Sequence, residues 1–165
     1  MRDEVDRLVE AWQRERPDLD LRPMEVLSRV TRLGHHLDGA RRQAFAEHSI
    51  ESWEFDVLAA LRRAGAPYEL SPGRLLKQTL VTSGTMTNRV DGLERRGLVR
   101  RLPDPRDRRG VLVRLTEAGS TAVDGAMASL LERERGLLAD LDGAQQKELA
   151  GLLRILTVPF EVEPW

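Results

Sequence analysis

The chain contains 165 residues, of which 41% are hydrophobic, and its 26 Lys and Arg nearly balance its 27 Asp and Glu to give a net charge of -1. This length can bury one substantial core, so we expect a single domain. The sequence has no cysteine, which excludes disulfides, thiolate metal sites and thiol redox sensing. The N-terminus MRDEVDRL is charged, unlike a signal peptide, and no apolar run approaches the roughly 20 residues of a membrane span. We therefore expect a cytoplasmic protein without a membrane partner.

Charge is unevenly distributed along the chain. Between Arg74 and Arg114 there are eleven Lys or Arg against four Asp or Glu, a balance of +7, whereas the remainder carries fifteen against twenty-three, or -8. A basic segment within an acidic chain is typical of a phosphate-binding surface, and the acidic remainder limits non-specific binding. A merely solvated charged face is the alternative that charge alone leaves open.

Hydrophobic periodicity predicts four helices in the first half of the chain. The first covers about residues 3–15, and the second has Pro23 in its first turn and runs to about residue 47. The third begins near Glu51 and turns three apolar side chains inward, namely Phe55, Leu58 and Leu61. Ser71 followed by Pro72 is typical of an N-cap and first helical position, so a fourth helix begins there.

The fifth helix is predicted from about Ser83 to Arg96, with Thr82 as its N-cap. At 100° per residue, one face groups Met86, Val90 and Leu93, which we expect to be buried. The opposite face carries Gly84, Thr87, Asn88, Asp91 and Arg95. Small polar residues at the start of a helix permit close approach to a DNA groove, and their side chains can bind base edges or phosphates.

A β-hairpin is predicted next. Arg100-Arg101-Leu102 forms its first strand, and alternating Val111, Val113 and Leu115 indicate its returning strand. The intervening segment from Pro103 to Gly110 is predicted to be an arginine-bearing loop suited to a narrow minor groove. Because acidic groups repel phosphate, we expect Asp107 to orient Arg108 or Arg109 instead.

Two amphipathic helices complete the chain. The first repeats apolar residues at Val123, Met127, Leu130, Leu137 and Leu141, and the second at Leu149, Leu152, Leu153 and Leu156. The whole order predicts a mainly α fold with a small β-wing, that is, a winged helix-turn-helix lobe combined with a helical dimerisation lobe. The candidate DNA contacts are Ser71, Arg74, Thr82, Ser83, Thr85, Thr87, Asn88, Arg95, Arg106, Arg108 and Arg109.

The segment from Leu70 to Gly119 resembles the DNA-binding lobe of the MarR family of bacterial transcriptional regulators. The match rests on GTMTNRVDGLERRGLV and on DPRDRRGVLVRLTEAG. The resemblance implies one MarR-type domain over residues 1–165, with dimerisation helices at about 1–48 and 117–160 and the winged helix-turn-helix at about 51–116. It also implies a homodimer that binds a palindromic double-stranded operator and is released by a small molecule.

A helix with a tryptophan ahead of the usual family start is similar to the urate-responsive, PecS-like branch of the family. The resemblance implies a ligand pocket formed by Trp12, Asp56, Arg89 and Arg101, with Asp56 holding the arginines when the pocket is empty. Helix geometry agrees for Arg89, which lies about 70° from the centre of the apolar face, on its flank. Two arginines favour an anionic effector, and both urate and an aconitate-like carboxylate fit.

Other classes of function have little support in the sequence. No nucleophile–base–acid arrangement and no glycine-rich phosphate loop is recognisable, so we expect neither an enzyme nor a cofactor. His35, His36 and His48 lie on one predicted helix, where adjacent histidines point about 100° apart, so no metal site is expected. The resemblance places His35 and His36 near the two-fold axis, which leaves open either a pH-sensitive pair or uncoupled exposed histidines. A winged helix that serves only as a protein-interaction module would not need the basic segment.

Overall fold

A computed structural model describes residues 2–79 and 82–160, apart from the side chain of Arg108. The element order is α1 Glu4–Glu15, α2 Arg22–Ala46, α3 Ser52–Arg63, β1 Glu69–Leu70, α4 Pro72–Thr79, α5 Ser83–Arg95, β2 Val99–Asp104, β3 Asp107–Leu115, α6 Glu117–Leu137, α7 Gly143–Thr157 and a 3-10 turn Val158–Phe160. The predicted mainly helical fold with a small sheet is confirmed. Within the described residues, no helix combines the length and apolarity needed to cross a membrane.

The described chain divides into two compact units, and the first ends at Arg41. Within this unit, Asp3 caps α1 by accepting from the backbone N–H of Asp6. Arg29 of α2 forms ion pairs with Asp3 at 2.8 Å and with Asp6 at 2.6 Å. The hydrogen bond from Arg29 lowers the pKa of Asp3 to about 2, so the pair is fully ionised at neutral pH.

The second unit, from Arg42 onward, contains a core built around α3. Phe55 of α3 stacks on Phe45 with ring centroids 4.1 Å apart, and Leu58 and Leu61 are fully buried, as the periodicity predicts. The remaining core side chains come from α4, α5, the sheet and α6, and they include Leu75, Met86, Leu93, Val113, Leu115, Val123 and Leu130.

Capping explains where the helices of this unit begin. Glu51 and Glu54 form a capping box at the start of α3, in which each side chain accepts from the other residue's backbone N–H. Ser71 Oγ accepts from the backbone N–H of Arg74 at 3.4 Å, which agrees with its predicted N-cap position ahead of Pro72. These caps satisfy amide groups that have no partner within the helix.

The three strands form one antiparallel sheet in the order β1-β3-β2. Val99 pairs with Leu115 and Arg101 with Val113, and the register shifts between Pro103 and Asp104. The predicted loop from Pro103 to Gly110 is therefore too long, because the strands continue until only two residues separate them. Proline and aspartate are typical of loops, yet here they occupy a bulge and a tight turn within the ladder.

The C-terminal helices expose much of their apolar surface. In α6 the side chains of Val123 and Leu130 are buried, whereas Met127 and Leu137 are more than 40% exposed. None of the fifteen described residues of α7 is buried, and Ile155 is 70% exposed. Leu141, predicted to continue the first of these helices, lies after its end. Exposed apolar surface of this kind is typical of an interface.

A buried carboxylate connects α3 with the end of α5. Glu54 is only 2% exposed, and its Oε2 accepts from the backbone N–H of Glu51 at 2.9 Å and from the guanidinium of Arg96. Arg96 also donates to the backbone carbonyl of Ser49 at 2.5 Å. A buried charge is tolerated when it is paired and hydrogen-bonded, so this network fixes the C-terminus of α5 against the start of α3.

Replacing Glu54 with Ala should lower the free energy of unfolding by about 2–4 kcal/mol, because it removes the cap of α3 and leaves Arg96 without its buried partner. Glu54→Gln is the matched control, since it keeps an acceptor for the Glu51 amide and should cost less. Urea unfolding at one fixed protein concentration measures both variants. Equal stability of Glu54→Ala and the wild type would contradict a structural role for this carboxylate.

Candidate nucleic-acid interface

Both ends of α5 are defined by local hydrogen bonds. At the start, Thr82 Oγ1 accepts from the backbone N–H of Thr85 at 3.4 Å, as predicted for its N-cap. At the end, Gly97 has a φ of +71° and donates to the carbonyl of Glu94, while Leu98 donates to that of Leu93. This is a Schellman motif, which requires a residue that tolerates the left-handed conformation. The helix therefore has a fixed length of 13 residues.

One face of α5 is buried and the other is exposed. Met86, Val90 and Leu93 are at most 1% exposed, which confirms the predicted core side. The exposed side chains in the first turns belong to Ser83, Thr85, Thr87 and Asn88, and Arg95 is exposed in the last turn. Small hydroxyl and amide side chains thus cover the accessible surface at the helix N-terminus, where backbone N–H groups also favour an anion.

The helix α4 precedes this surface and supplies two of the candidate contacts. Leu75 is its buried residue, so Arg74 on the neighbouring position is exposed. Ser71 is half-buried at the N-cap. Residues 80 and 81 between α4 and α5 lie outside the described chain, and the two helices on either side pack against each other.

Beyond α5, the β2–β3 hairpin presents arginines at its tip. Arg106 and Arg109 are exposed, whereas the side chain of Arg108 is not among those described. Asp104 accepts from the backbone N–H of Arg106, and Asp107 from that of Arg109, each at 2.9 Å. The expected role of Asp107 toward its neighbouring arginines is therefore exerted through the backbone of Arg109.

A glycine is required near the tip of the same hairpin. A Cβ atom at Gly110 would lie 2.9 Å from the Cβ of Asp104 and 3.1 Å from that of Asp107. Real Cβ atoms do not approach so closely, so only glycine leaves room for the two aspartates that shape the turn.

Several cations of the basic segment are paired within the protein. Arg96 binds Glu54, Arg114 binds Glu69 with an Nε–Oε2 distance of 2.7 Å, and Arg101 binds Asp91 and Glu94. The sequence count of +7 therefore does not measure the cationic surface directly. The exposed cations of the segment include Arg74, Arg95, Arg100, Arg106 and Arg109.

The four residues predicted to bind an effector have different surroundings. Trp12, in the first unit, is 45% exposed, and Asp56 is exposed on α3. The guanidinium of Arg89 lies over the ring of Trp53, 5.6 Å from its centroid, which is within range of a cation–π contact. Trp53 was not identified as a candidate from the sequence. Its position three residues before Asp56 places both on one face of α3, and this spacing could have identified it.

Arg101 is held by carboxylates of α5, a contact that sequence reasoning missed. Its Nη2 lies 2.5 Å from Asp91 Oδ1, and its Nη1 lies 2.5 Å from Glu94 Oε2. The helical angle of Asp91 predicts only that it lies on the DNA-facing side of α5. The spacing of Asp91 and Glu94 by three residues, ahead of a strand rich in arginine, is the only sequence signal for this contact.

A buried ridge on α5, small polar groups on its exposed face, and an arginine-tipped hairpin define a winged helix-turn-helix protein. The sequence profile of the MarR family matches residues 48–110. The chain is also 37% identical to the HTH-type transcriptional regulator PecS of Dickeya dadantii (strain 3937), over 91% of this chain and 90% of PecS.

Two solved structures show similar folds. A cysteine-to-serine mutant of E. coli MarR complexed with operator DNA has a TM-score of 0.62 at 28% identity, over 84% of this chain and 99% of that one. Bordetella bronchiseptica BpsR, whose DNA binding is regulated by 6-hydroxynicotinic acid, has a TM-score of 0.65 at 26% identity, over 80% and 92%. The chain therefore belongs to the MarR family of transcriptional regulators, and these relatives are regulators rather than enzymes.

Two substitutions should separate base reading from phosphate attraction. Asn88→Ala should reduce discrimination between operator and non-operator DNA by about 1–3 kcal/mol, because an amide side chain pairs with a base edge.

Arg109→Ala should weaken binding to both DNAs and reduce the slope of log affinity against log salt by about 1. Fluorescence anisotropy at several salt concentrations measures both effects. Unchanged discrimination in Asn88→Ala would remove that residue from the base-reading surface.

Proposed function

We propose that this protein is a repressor that binds a palindromic operator as a homodimer and is released by a small anionic metabolite. The observation that carries the proposal is the exposed N-terminal face of α5 beside the arginine-tipped hairpin. On this proposal α5 enters the major groove, and the hairpin places Arg106, Arg108 and Arg109 near the adjacent minor groove. Ser71, Arg74, Thr82, Ser83 and Thr85 position the helix on phosphates, whereas Thr87, Asn88 and Arg95 face bases.

Exposed apolar surface supports the homodimer. In α2 the side chains of Val26, Leu27, Val30 and Leu33 are between 41% and 56% exposed. In α7 Leu152 and Leu156 are 55% and 47% exposed. Such stripes on helices at both ends of the chain suit a second copy of the same chain, since a two-fold interface pairs one surface with itself. Two identical recognition helices would then contact half-sites about one helical turn apart.

The repressor assignment draws on the family. MarR, to which the chain is 26% identical in a further solved structure, is a multiple antibiotic resistance repressor. Occupancy of a promoter by a dimer is the simplest way for a protein with this surface to reduce transcription. Release by a ligand requires that the ligand bind the DNA-free arrangement more tightly than the DNA-bound one.

The proposed effector site in the second unit comprises Asp56, Arg89 and Arg101, with the ring of Trp53 beside Arg89. An aromatic ring and two guanidinium groups favour a flat anion, because guanidinium binds carboxylates with paired hydrogen bonds and stacks on aromatic faces. Urate meets this description. An aconitate-like carboxylate is the second candidate, and the 6-hydroxynicotinic acid that regulates BpsR is a planar acid of similar chemistry.

Arg89→Ala should abolish release by the effector with only partial loss of DNA binding, because Arg89 lies on the flank of α5 and its charge is directed toward Trp53. The measurement is a gel shift on the protein's own promoter fragment at fixed salt, with urate, aconitate and 6-hydroxynicotinate added separately. Arg63→Ala, at an exposed position in the last turn of α3, removes the same charge and should leave release unchanged.

Two outcomes would contradict the proposal. Release of Arg89→Ala at the wild-type effector concentration would place the effector site elsewhere. A wild-type chain that binds no promoter fragment at any salt concentration would contradict DNA binding itself and favour an interaction module.

A further inference from the structure

Two carboxylates lie on the surface that α5 is proposed to present to DNA. Asp91 and Glu94 line, together with Asn88 and Arg95, a shallow open depression on this helix. Their side chains are 48% and 37% exposed. Negative groups at this position would face the phosphates of a bound duplex, so they would oppose binding unless they were neutralised.

Arg101 provides part of that neutralisation from the first strand of the hairpin. Its two terminal nitrogens divide between the two carboxylates, and its backbone N–H donates to Glu94 Oε1 at 2.8 Å. Glu94 is therefore bound by both the backbone and the side chain of the same residue. This arrangement fixes the wing strand to the recognition helix at the same point where one positive charge offsets part of the two negative charges.

The two carboxylates also stabilise the charged form of the Arg101 guanidinium. Partial burial acts to lower the pKa of Arg101, but its hydrogen bonds with Asp91 and Glu94 outweigh burial, and the net pKa is raised. The side chain is 31% exposed, less than either of its partners. An arginine held in this way is poorly placed to serve as a direct phosphate contact.

We propose that Arg101 is a positioning residue that offsets the charge of Asp91 and Glu94. An anion that binds the Arg101 guanidinium in their place leaves both carboxylates without this partner on the DNA-facing surface. Release would then follow from repulsion between these carboxylates and the operator phosphates, in addition to any movement of the wing. The inference rests on the proposed function, because it assumes that this face of α5 meets DNA and that the effector is anionic.

The test is a double-mutant cycle on operator affinity, which needs no effector. Arg101→Gln keeps hydrogen-bond donors but removes the charge, and Asp91→Asn with Glu94→Gln removes the two carboxylates while leaving an acceptor for the Arg101 amide. We expect Arg101→Gln alone to weaken operator binding roughly fivefold to tenfold at low salt. The carboxylate pair of substitutions should raise affinity modestly in the wild type, where Arg101 already offsets part of their charge. The same pair should raise affinity by more in the Arg101→Gln background, to at least the wild-type value.

Arg100→Gln is the matched control, because it removes the same charge from the exposed neighbouring position on β2. The carboxylate substitutions should have the same small effect in that background as in the wild type. Arg101→Lys should retain operator binding, since its ammonium keeps the one positive charge that offsets the carboxylates. The coupling in operator affinity between Arg101→Gln and the carboxylate substitutions should decrease when salt reduces the Debye length below about 8 Å.

Results that contradict this role of Arg101 can be distinguished from results that contradict the proposed function. If the carboxylate substitutions do not restore affinity to Arg101→Gln, or if Arg101→Lys binds as weakly as Arg101→Gln, then Arg101 does not act by neutralisation. Wild-type operator binding in the same experiment keeps the proposed function intact in that case. With urate as the probe, the variant that lacks both carboxylates should need at least severalfold more urate for release, and an unchanged urate requirement would overturn the release mechanism.

Discussion

The orientation of α5 depends on ionic contacts at its C-terminal half. Glu54, buried at the start of α3, binds Arg96 just after the helix, and Arg101 of β2 binds Asp91 and Glu94 on the helix itself. The apolar ridge of α5 packs into the core. These contacts hold the C-terminal half, whereas the exposed face proposed to meet DNA begins in the first two turns. A recognition surface must be positioned to within a fraction of an ångström, and it is built here on a rigid helix rather than on a loop.

The same contacts divide the arginines of the basic segment into two groups. Arg96, Arg101 and Arg114 are committed to carboxylates within the fold. Exposed arginines such as Arg106 and Arg109 at the hairpin tip remain available to phosphates. The proposed anionic effector would alter the fold near the DNA surface if it competed for a committed arginine, whereas competition for an exposed arginine would affect only the electrostatic attraction. On the proposed function, this difference would let one chain use arginine both to bind DNA and to respond to a metabolite.

Much of the fold could be predicted because its signals are local. The N-cap at Thr82, the buried ridge of α5 and the inward face of α3 each follow from residues within one or two turns. The pairing of Glu54 with Arg96 spans 42 residues, so no periodicity indicates it. The predicted extent of the hairpin loop is wrong, because proline and aspartate occur both in loops and in β-bulges. Pro103 and Asp104 therefore do not distinguish the two in the sequence. Arg101 stands out in the sequence, but its partners depend on the strand register, which the sequence does not contain.

The most direct measurement is a methylation-interference experiment on the promoter fragment bound by this protein. Dimethyl sulfate modifies N7 of guanine in the major groove and N3 of adenine in the minor groove, so one experiment reports on both grooves. Placement of α5 and the hairpin on DNA predicts interference at guanine N7 in two half-sites about one helical turn apart, with interference at adenine N3 in the flanking minor groove. Interference confined to the minor groove, or a single unpaired site, would contradict the placement of α5 as the recognition helix of a symmetric dimer.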